Sequence, residues 1–353
     1  MELSPTLKGL VEHYSPSGQE AQAVDWLVNH MQSLGLKAYS DEAGNAIGIK
    51  GNGERQIVLL GHIDTVPGEI EPHLEGDDFY GRGSVDAKGP LAAFVEAVAA
   101  LGDRPGWQVV VIGAVDEEGD SRGARFVVSR YAPRYAIIGE PSQWQRVTLG
   151  YKGTAWANLR LRQNLTHTAS AQASVCEKAF ESWGKIRAWC KVYNADKPRL
   201  FEQITPTLRA FRSGGNGFFE WANLRVGVRL PPGFSPADWY QQLDTLLADG
   251  ADGSTQEVRA VGYPIPAYRA EKNTPLVRAF LSAIRKMGGE ASFALKTGTA
   301  DLNIVAPAWG CAAVAYGPGD SNLDHTPHEH ISITEYHQAV QVLKAVLFNL
   351  TAE

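Results

Sequence analysis

Five stretches of this chain place residues that bind cations or move protons at the end of an apolar or glycine-rich run. Residues 109–119 read VVVIGAVDEEG, so a β-branched run stops at Asp116, Glu117 and Glu118. Residues 56–61, QIVLLG, stop at His62-Ile63-Asp64. Residues 135–139, YAIIG, stop at Glu140, and residues 310–317, GCAAVAYG, lead into a loop with His325, His328 and His330. A glycine-rich loop at 81–90 adds Asp86 just before an apolar helical stretch. Each signal has a bland reading: a solvated acidic turn, a hydrogen-bonded His-Asp core pair, an aspartate that caps a helix. Taken together, imidazoles with carboxylates and no thiolate make a ligand set for zinc or a similar divalent ion. Two histidines and three or four carboxylates exceed one tetrahedral site and suit two ions about 3.5–4 Å apart, with one glutamate left over as a base.

The elements that must position these residues follow from the pattern. Short apolar runs that end in polar residues read as buried strands meeting loops, and open α/β sheets collect ligands at the carboxyl ends of such strands. Helical spacing covers residues 4–34, with a break at 15–18, and then 91–101, 123–130, 275–287 and 334–350. The middle is different. A strand at 147–162, a helix at 169–192, strands at 207–212 and 219–230, a helix at 236–249 and a strand at 255–262 give β-α-β-β-α-β, a ferredoxin-like unit. The expected architecture is an α/β catalytic domain with a mixed sheet, in two parts (1–147 and 263–353), interrupted by a smaller inserted domain at 148–262.

Bulk properties narrow the class. The 353 residues are 44% apolar and 20% charged, as in ordinary globular chains. No apolar run reaches the ~18 residues of a membrane span, and the first twenty residues lack the apolar core of a secretory signal. Cys176, Cys190 and Cys311 are odd in number and far apart, which fits a reducing, cytoplasmic setting. A net charge of -6 argues against a general nucleic-acid binder. The charge is unevenly spread. Residues 146–234 hold fourteen Lys and Arg against five Asp and Glu, a surplus of nine, whereas the rest holds nineteen against thirty-four. Such a split points to an interaction surface for an acidic partner.

The motifs GHIDTV (61–66), GRGSVDAKGPL (81–91), VDEEG (115–119), GEPS (139–142) and HTPHEHI (325–331) resemble the acetylornithine deacetylase / succinyl-diaminopimelate desuccinylase / carboxypeptidase family of co-catalytic zinc hydrolases. The resemblance implies a zinc-peptidase-like fold whose inserted unit is a dimerisation lid, hence a homodimer. It implies two zinc ions, with cobalt as an alternative, held by His62 with Glu140 and by Glu118 with His325, and bridged by Asp86. Glu117 would be the general base and Asp64 the partner that orients His62. His167, in NLTHTAS, matches the lid histidine that reaches the partner subunit's site. Arg229 in VGVRLPP matches an arginine for a substrate carboxylate, and Lys296, Gly298 and Thr299 fall in a substrate-contacting loop. GRGSVDAKGPL and KTGTADLN resemble the branch that releases lysine, or ornithine, from the C-terminal glutamate of an acidic amino-group carrier protein, the last step of lysine biosynthesis through aminoadipate. The alternatives are a small-molecule deacylase acting on acetylornithine or acetyl-lysine, an aminopeptidase or carboxypeptidase, and a metal-holding protein without activity.

Overall fold

The computed structural model describes residues 1–248 and 254–352. The expected end of the 236–249 helix, Asp249, lies outside the described residues. The chain divides into two compact units, one of residues 1–150, 269–295 and 300–353, the other of residues 151–268 and 296–299.

The first unit begins with helices α1 (Pro5–Glu12) and α2 (Ala21–Ser33), then strands β1 (Lys37–Ser40), β2 (Ala46–Gly51) and β3 (Arg55–His62). A hairpin of β4 (His73–Glu75) and β5 (Asp78–Tyr80) precedes α3 (Lys88–Ala99), β6 (Trp107–Ala114), α4 (Arg122–Val127), β7 (Tyr135–Gly139) and β8 (Arg146–Tyr151). The second unit holds β9 (Gly153–Asn164), α5 (Val175–Tyr193), β10 (Thr205–Gly215), β11 (Phe219–Leu230), α6 (Pro236–Leu247) and β12 (Thr255–Ile265). The chain then returns through β13 (Tyr268–Arg269), α7 (Pro275–Lys286), β14 (Ser292–Lys296), α8 (Leu302–Trp309), β15 (Ala312–Ala315), β16 (His330–Ser332) and α9 (Ile333–Leu350).

The large sheet is mixed and runs β1-β2-β6-β3-β7-β15-β8-β13, with β14 also paired to β8. Its centre is parallel: β6 pairs with β3, β3 with β7, and β7 with β15. The four apolar runs singled out in the sequence are these four neighbours, and their carboxyl ends stand side by side. Register places His62 opposite Ala114, and Gly61 opposite Gly139.

α3 packs over the sheet centre, and α9 packs against α3. Phe94, Val95 and Val98 of α3 and Leu343, Val346 and Leu347 of α9 are buried. Two glycines let α3 come down onto the strand ends. A Cβ on Gly139 would meet Phe94 at 2.9 Å, and one on Gly61 would meet Leu91 at 3.3 Å. The helix that opens just after Asp86 is thereby fixed over the edge where the strands end.

The second unit is a four-stranded antiparallel sheet, β10-β11-β9-β12, with α5 and α6 against one face. Both helices open with a capping box, Ser174 with Glu177 and Ser235 with Asp238. The expected single strand at 147–162 is two strands in two sheets. The break falls at Lys152, whose buried ammonium donates to the carbonyls of Leu200 and Gln203 and to the Thr205 hydroxyl. Gly153 follows because its backbone runs against that of 265–267, where a Cβ would lie 2.5 Å from the Ile265 carbonyl oxygen. Alternation of apolar residues continues through the switch, so periodicity does not reveal it.

Candidate metal centre

His62 ends β3 and is almost fully buried. Its Nδ1 lies 2.9 Å from the main-chain carbonyl of Asp64. A carbonyl only accepts, so Nδ1 carries the proton and Nε2 is left to face the site. Nε2 lies 3.1 Å from one oxygen of Asp86. The other Asp86 oxygen lies 3.1 Å from Nε2 of His325, which is also 2.8 Å from Glu118. Asp86 thus offers one oxygen to each of two histidines, the arrangement a carboxylate adopts when it is shared between two cations. It caps no helix: Ala87 is the N-cap of α3, and no side chain caps there.

Among the described residues ligand atoms converge in two groups, His62 with Glu117 and Glu118, and Asp86 with Glu118 and His325, each within 4.8 Å. Glu118 belongs to both. Glu140 follows β7, is buried and lies outside both groups, yet its charge acts on Glu117. His328 is exposed.

Asp64 orders this edge through its carboxylate. One oxygen accepts the Glu117 amide at 3.0 Å, and the other accepts the Glu118 amide at 3.1 Å and the Ser17 hydroxyl at 2.7 Å. That carboxylate is 3.6 Å from the His62 ring, so the carbonyl is what orients the imidazole. Asp116, just before these two glutamates, has φ 66°, and His325 has φ 61°. Non-glycine residues rarely adopt this left-handed backbone, and they do so disproportionately at functional sites.

The electrostatics fit a site built for positive charge. Burial pushes the Glu117 carboxyl well above the usual range, and Glu140, Asp301 and Glu118 add to the push against an opposing pull from His62. Burial also opposes charge on Asp86, but hydrogen bonds with His325 and His62 outweigh it and hold the carboxyl far below the usual range. Hydrogen bonds with Asp86 and then Glu118 raise His325 to about 10. A cluster of acids that forces protons onto its own histidines has a deficit of positive charge, which divalent ions would make good. The residues fit such ions: imidazole nitrogen and carboxylate oxygen, with one carboxylate positioned to be shared.

Arg82 and Glu329, given no role in the sequence reading, matter here, and so does Asp301, which the sequence reading placed only within the substrate-contacting KTGTADLN loop. Glu329 is buried, pairs with Arg82 at 2.8 Å, and accepts the amides of Val85 and Asp86 at 3.0 Å each. Arg82 also donates to the Gly68 carbonyl at 2.7 Å. One ion pair therefore ties the loop of Asp86 to the loop of His325. Asp301 is buried at the start of α8 without capping it. Burial raises its carboxyl to about 7, with Asp64 and Asp116 repelling and His62 and Ser121 opposing the rise. A buried acid in a loop leaves no periodic signal in the sequence. The only hint was an arginine between two glycines and an acid inside a histidine-rich loop.

The expected substrate residues lie in the second unit. Arg229 donates to the Thr299 hydroxyl, and the Lys296 carbonyl accepts the Lys152 amide at 3.2 Å. A Cβ on Gly298 would meet nothing within 4 Å. His167 is exposed in the loop after β9, where its ring accepts the Ala169 amide at 3.1 Å.

Residues 58–349 match the peptidase family M20/M25/M40. The chain belongs to this family. An M20 relative in Deinococcus radiodurans, a LysW-lysine hydrolase, is 39% identical over 345 residues, or 95% of this chain and 93% of that protein. A LysW-lysine/LysW-ornithine hydrolase of Sulfurisphaera tokodaii is 31% identical over 95% of this chain and 91% of its own. The crystal structure of the aminopeptidase PepT from Bacillus cereus shares the M20 fold. It aligns with a TM-score of 0.79 at 19% identity, over 98% of this chain and 97% of that one. No helix among the described residues is long and apolar enough to cross a membrane.

Proposed function

We propose that this M20 hydrolase releases L-lysine from the C-terminal γ-glutamyl linkage of an acidic amino-group carrier protein, in the cytoplasm, as the last step of lysine biosynthesis through aminoadipate. The geometry supports amide hydrolysis, and the observation that carries it is Asp86 presenting one oxygen to each of two histidines. The substrate rests on the names of the relatives that match along nearly the whole chain.

Two divalent ions, zinc or cobalt, would be held by His62, Asp86, Glu118, Glu140 and His325, and when bound would polarise the amide and acidify a water. Glu117 takes the proton from that water and returns it to the leaving amine. Burial and the neighbouring acids raise its carboxyl, which helps it hold the proton between the two transfers. Asp64 holds the backbone of Glu117 and Glu118 at fixed spacing. Arg229 grips the substrate carboxylate while Thr299 holds the guanidinium, with Lys296 and Gly298 beside them. His167 donates to the carbonyl oxygen as charge builds there, from the partner subunit of a homodimer joined through the second unit.

Ornithine is a second product, because the Sulfurisphaera relative carries both names. The deciding assay offers lysine-loaded carrier, ornithine-loaded carrier, acetylornithine and acetyl-lysine side by side with zinc or cobalt. Release from carrier at a kcat/KM far above that for the acetylated amino acids is the expected result. The reverse order would make the protein a small-molecule deacylase.

A further inference from the structure

One face of the four-stranded sheet is covered by α5 and α6 and the other is open. Along β11 the even positions Ala222, Leu224, Val226 and Val228 enter the core, so the odd positions face out. Strand pairing then fixes what stands beside what. Arg212, Asn223, Arg160 and Glu257 form one rung, and Ala210, Arg225, Asn158 and Arg259 form the next. Arg162 stands opposite Trp221 in the rung beyond. Most of the two central rungs lines a shallow depression of about 530 Å³.

Its charge is one-sided. Glu257 is already paired with Arg259 at 2.6 Å. Among the described residues Arg160, Arg162, Arg212 and Arg225 form no ion pair. Arg225 lies 5.4 Å from the Trp156 ring and Arg162 lies 3.8 Å from the Phe219 ring, so aromatic contacts steady two of the guanidiniums. Arginines crowded on adjacent strands repel one another. An acidic partner relieves that repulsion and is steered by it.

Arg229 shares this face, four residues along β11 from Arg225, or roughly 13 Å at strand rise. The proposed substrate is tethered by its last residue to the body of an acidic protein. If the tether's end is drawn to Arg229, the body meets whatever lies next along the strand. We propose that the open face of the second unit docks the acidic body of the carrier, with Arg160, Arg162, Arg212 and Arg225 as its charge partners. This rests on the carrier-protein reading above. The exposed Arg187 and Lys191 on α5 belong to the opposite layer and are not continuous with Arg229.

The test compares lysine-loaded carrier with the free dipeptide Nα-(γ-glutamyl)-lysine, which keeps the scissile amide and lacks the body. Three enzymes are needed: wild type, a triple variant R160E/R212E/R225E, and a control R187E/K191E. The triple variant should lose roughly 10- to 100-fold in kcat/KM on the carrier, mostly through KM, and keep its rate on the dipeptide. The control should match wild type on both. If charge reversal lowers the melting temperature, R160Q/R212Q/R225Q takes its place and should show a smaller loss in the same direction. Equal losses on both substrates, or none on the carrier, overturn the docking face and leave the carrier function standing. A wild-type enzyme that hydrolyses the dipeptide and not the carrier overturns the functional reading and the docking with it. A single-stranded RNA that binds wild type and not the variant, with carrier kinetics unmoved, makes the face a nucleic-acid surface and overturns the proposal.

Discussion

The carboxylate of Asp64 accepts the main-chain amide of Glu117 at 3.0 Å. Its second oxygen accepts the amide of Glu118, so one side chain sets the backbone spacing of the proposed base and a proposed ligand. Asp64→Asn keeps the shape but turns one acceptor oxygen into a donor facing an amide. Metal affinity is expected to fall 10- to 100-fold, the usual effect of losing a group that orients ligands. Titration of the metal-free variant with cobalt, followed by visible absorbance, measures it.

The two glutamates should separate by assay. Glu117→Gln is expected to lower kcat by roughly 10²–10⁴ with metal content unchanged, because a base is lost and no ligand. Glu118→Gln and His62→Ala should lose metal as well. Elemental analysis showing metal lost from Glu117→Gln and kept in Glu118→Gln would exchange the two roles, an outcome the grouping of Glu117 with His62 makes worth checking.

Glu329 tests whether the loops of Asp86 and His325 act as one body. Glu329→Gln leaves Arg82 buried without its partner, a change that typically costs about 3–5 kcal/mol. It also weakens the acceptor of the Val85 and Asp86 amides. We expect a lower melting temperature and weaker metal binding together. The double variant Arg82→Met with Glu329→Leu should recover much of the stability but not the metal affinity, since Asp86 loses its anchor either way.

What could be read from sequence was the set of strand ends. Each strand announces itself by an uninterrupted apolar run, and each ends in a residue with metal-binding chemistry. That is why His62 and Glu118 could be placed at one edge on paper, whereas Asp86 came from a glycine-rich loop and His325 was singled out among three loop histidines by the family resemblance; the four lie together. What could not be read were contacts between loops distant in sequence. Glu329 reaches across more than two hundred residues to Val85 and Asp86, and no local pattern marks it. The switch of sheets at Lys152 was hidden because apolar alternation runs straight through it. The short β4, β5 and β14 pair without a long apolar run and carry little signal of their own.

Asp301 gives a pH dependence with a definite sign. Its carboxyl is raised from 3.8 to about 7, so the folded protein holds a proton that the unfolded chain releases. Stability from this group is therefore fully present below pH ~4 and is lost as pH rises through ~7. In chelated, metal-free enzyme, Asp301→Asn should be more stable than wild type at pH 8, by an amount on the order of 1–4 kcal/mol, with the gap closing toward pH 4. Urea midpoints across that range measure it. A gap that widens on acidification would mean Asp301 is charged in the folded state and held by a partner.

His167 carries the last prediction, because its loop belongs to the second unit and the proposed metal ligands belong to the first. Its ring accepts the Ala169 amide and is otherwise exposed, with no further side-chain partner among the described residues. If it acts across a homodimer, His167→Ala and Glu117→Gln subunits are each inactive alone but complement when mixed. After subunit exchange, roughly a quarter of wild-type activity should return, since half the dimers are mixed and each has one working site of two. Activity that stays absent although mass spectrometry shows mixed dimers would place His167 in its own subunit's site. A His167→Ala enzyme with full activity would remove it from the reaction. The same mixture tested on the dipeptide as well as the carrier distinguishes the two ways His167 could matter. A donor to the reacting carbonyl is needed for both substrates, whereas a residue that touched only the carrier's body would leave dipeptide hydrolysis intact.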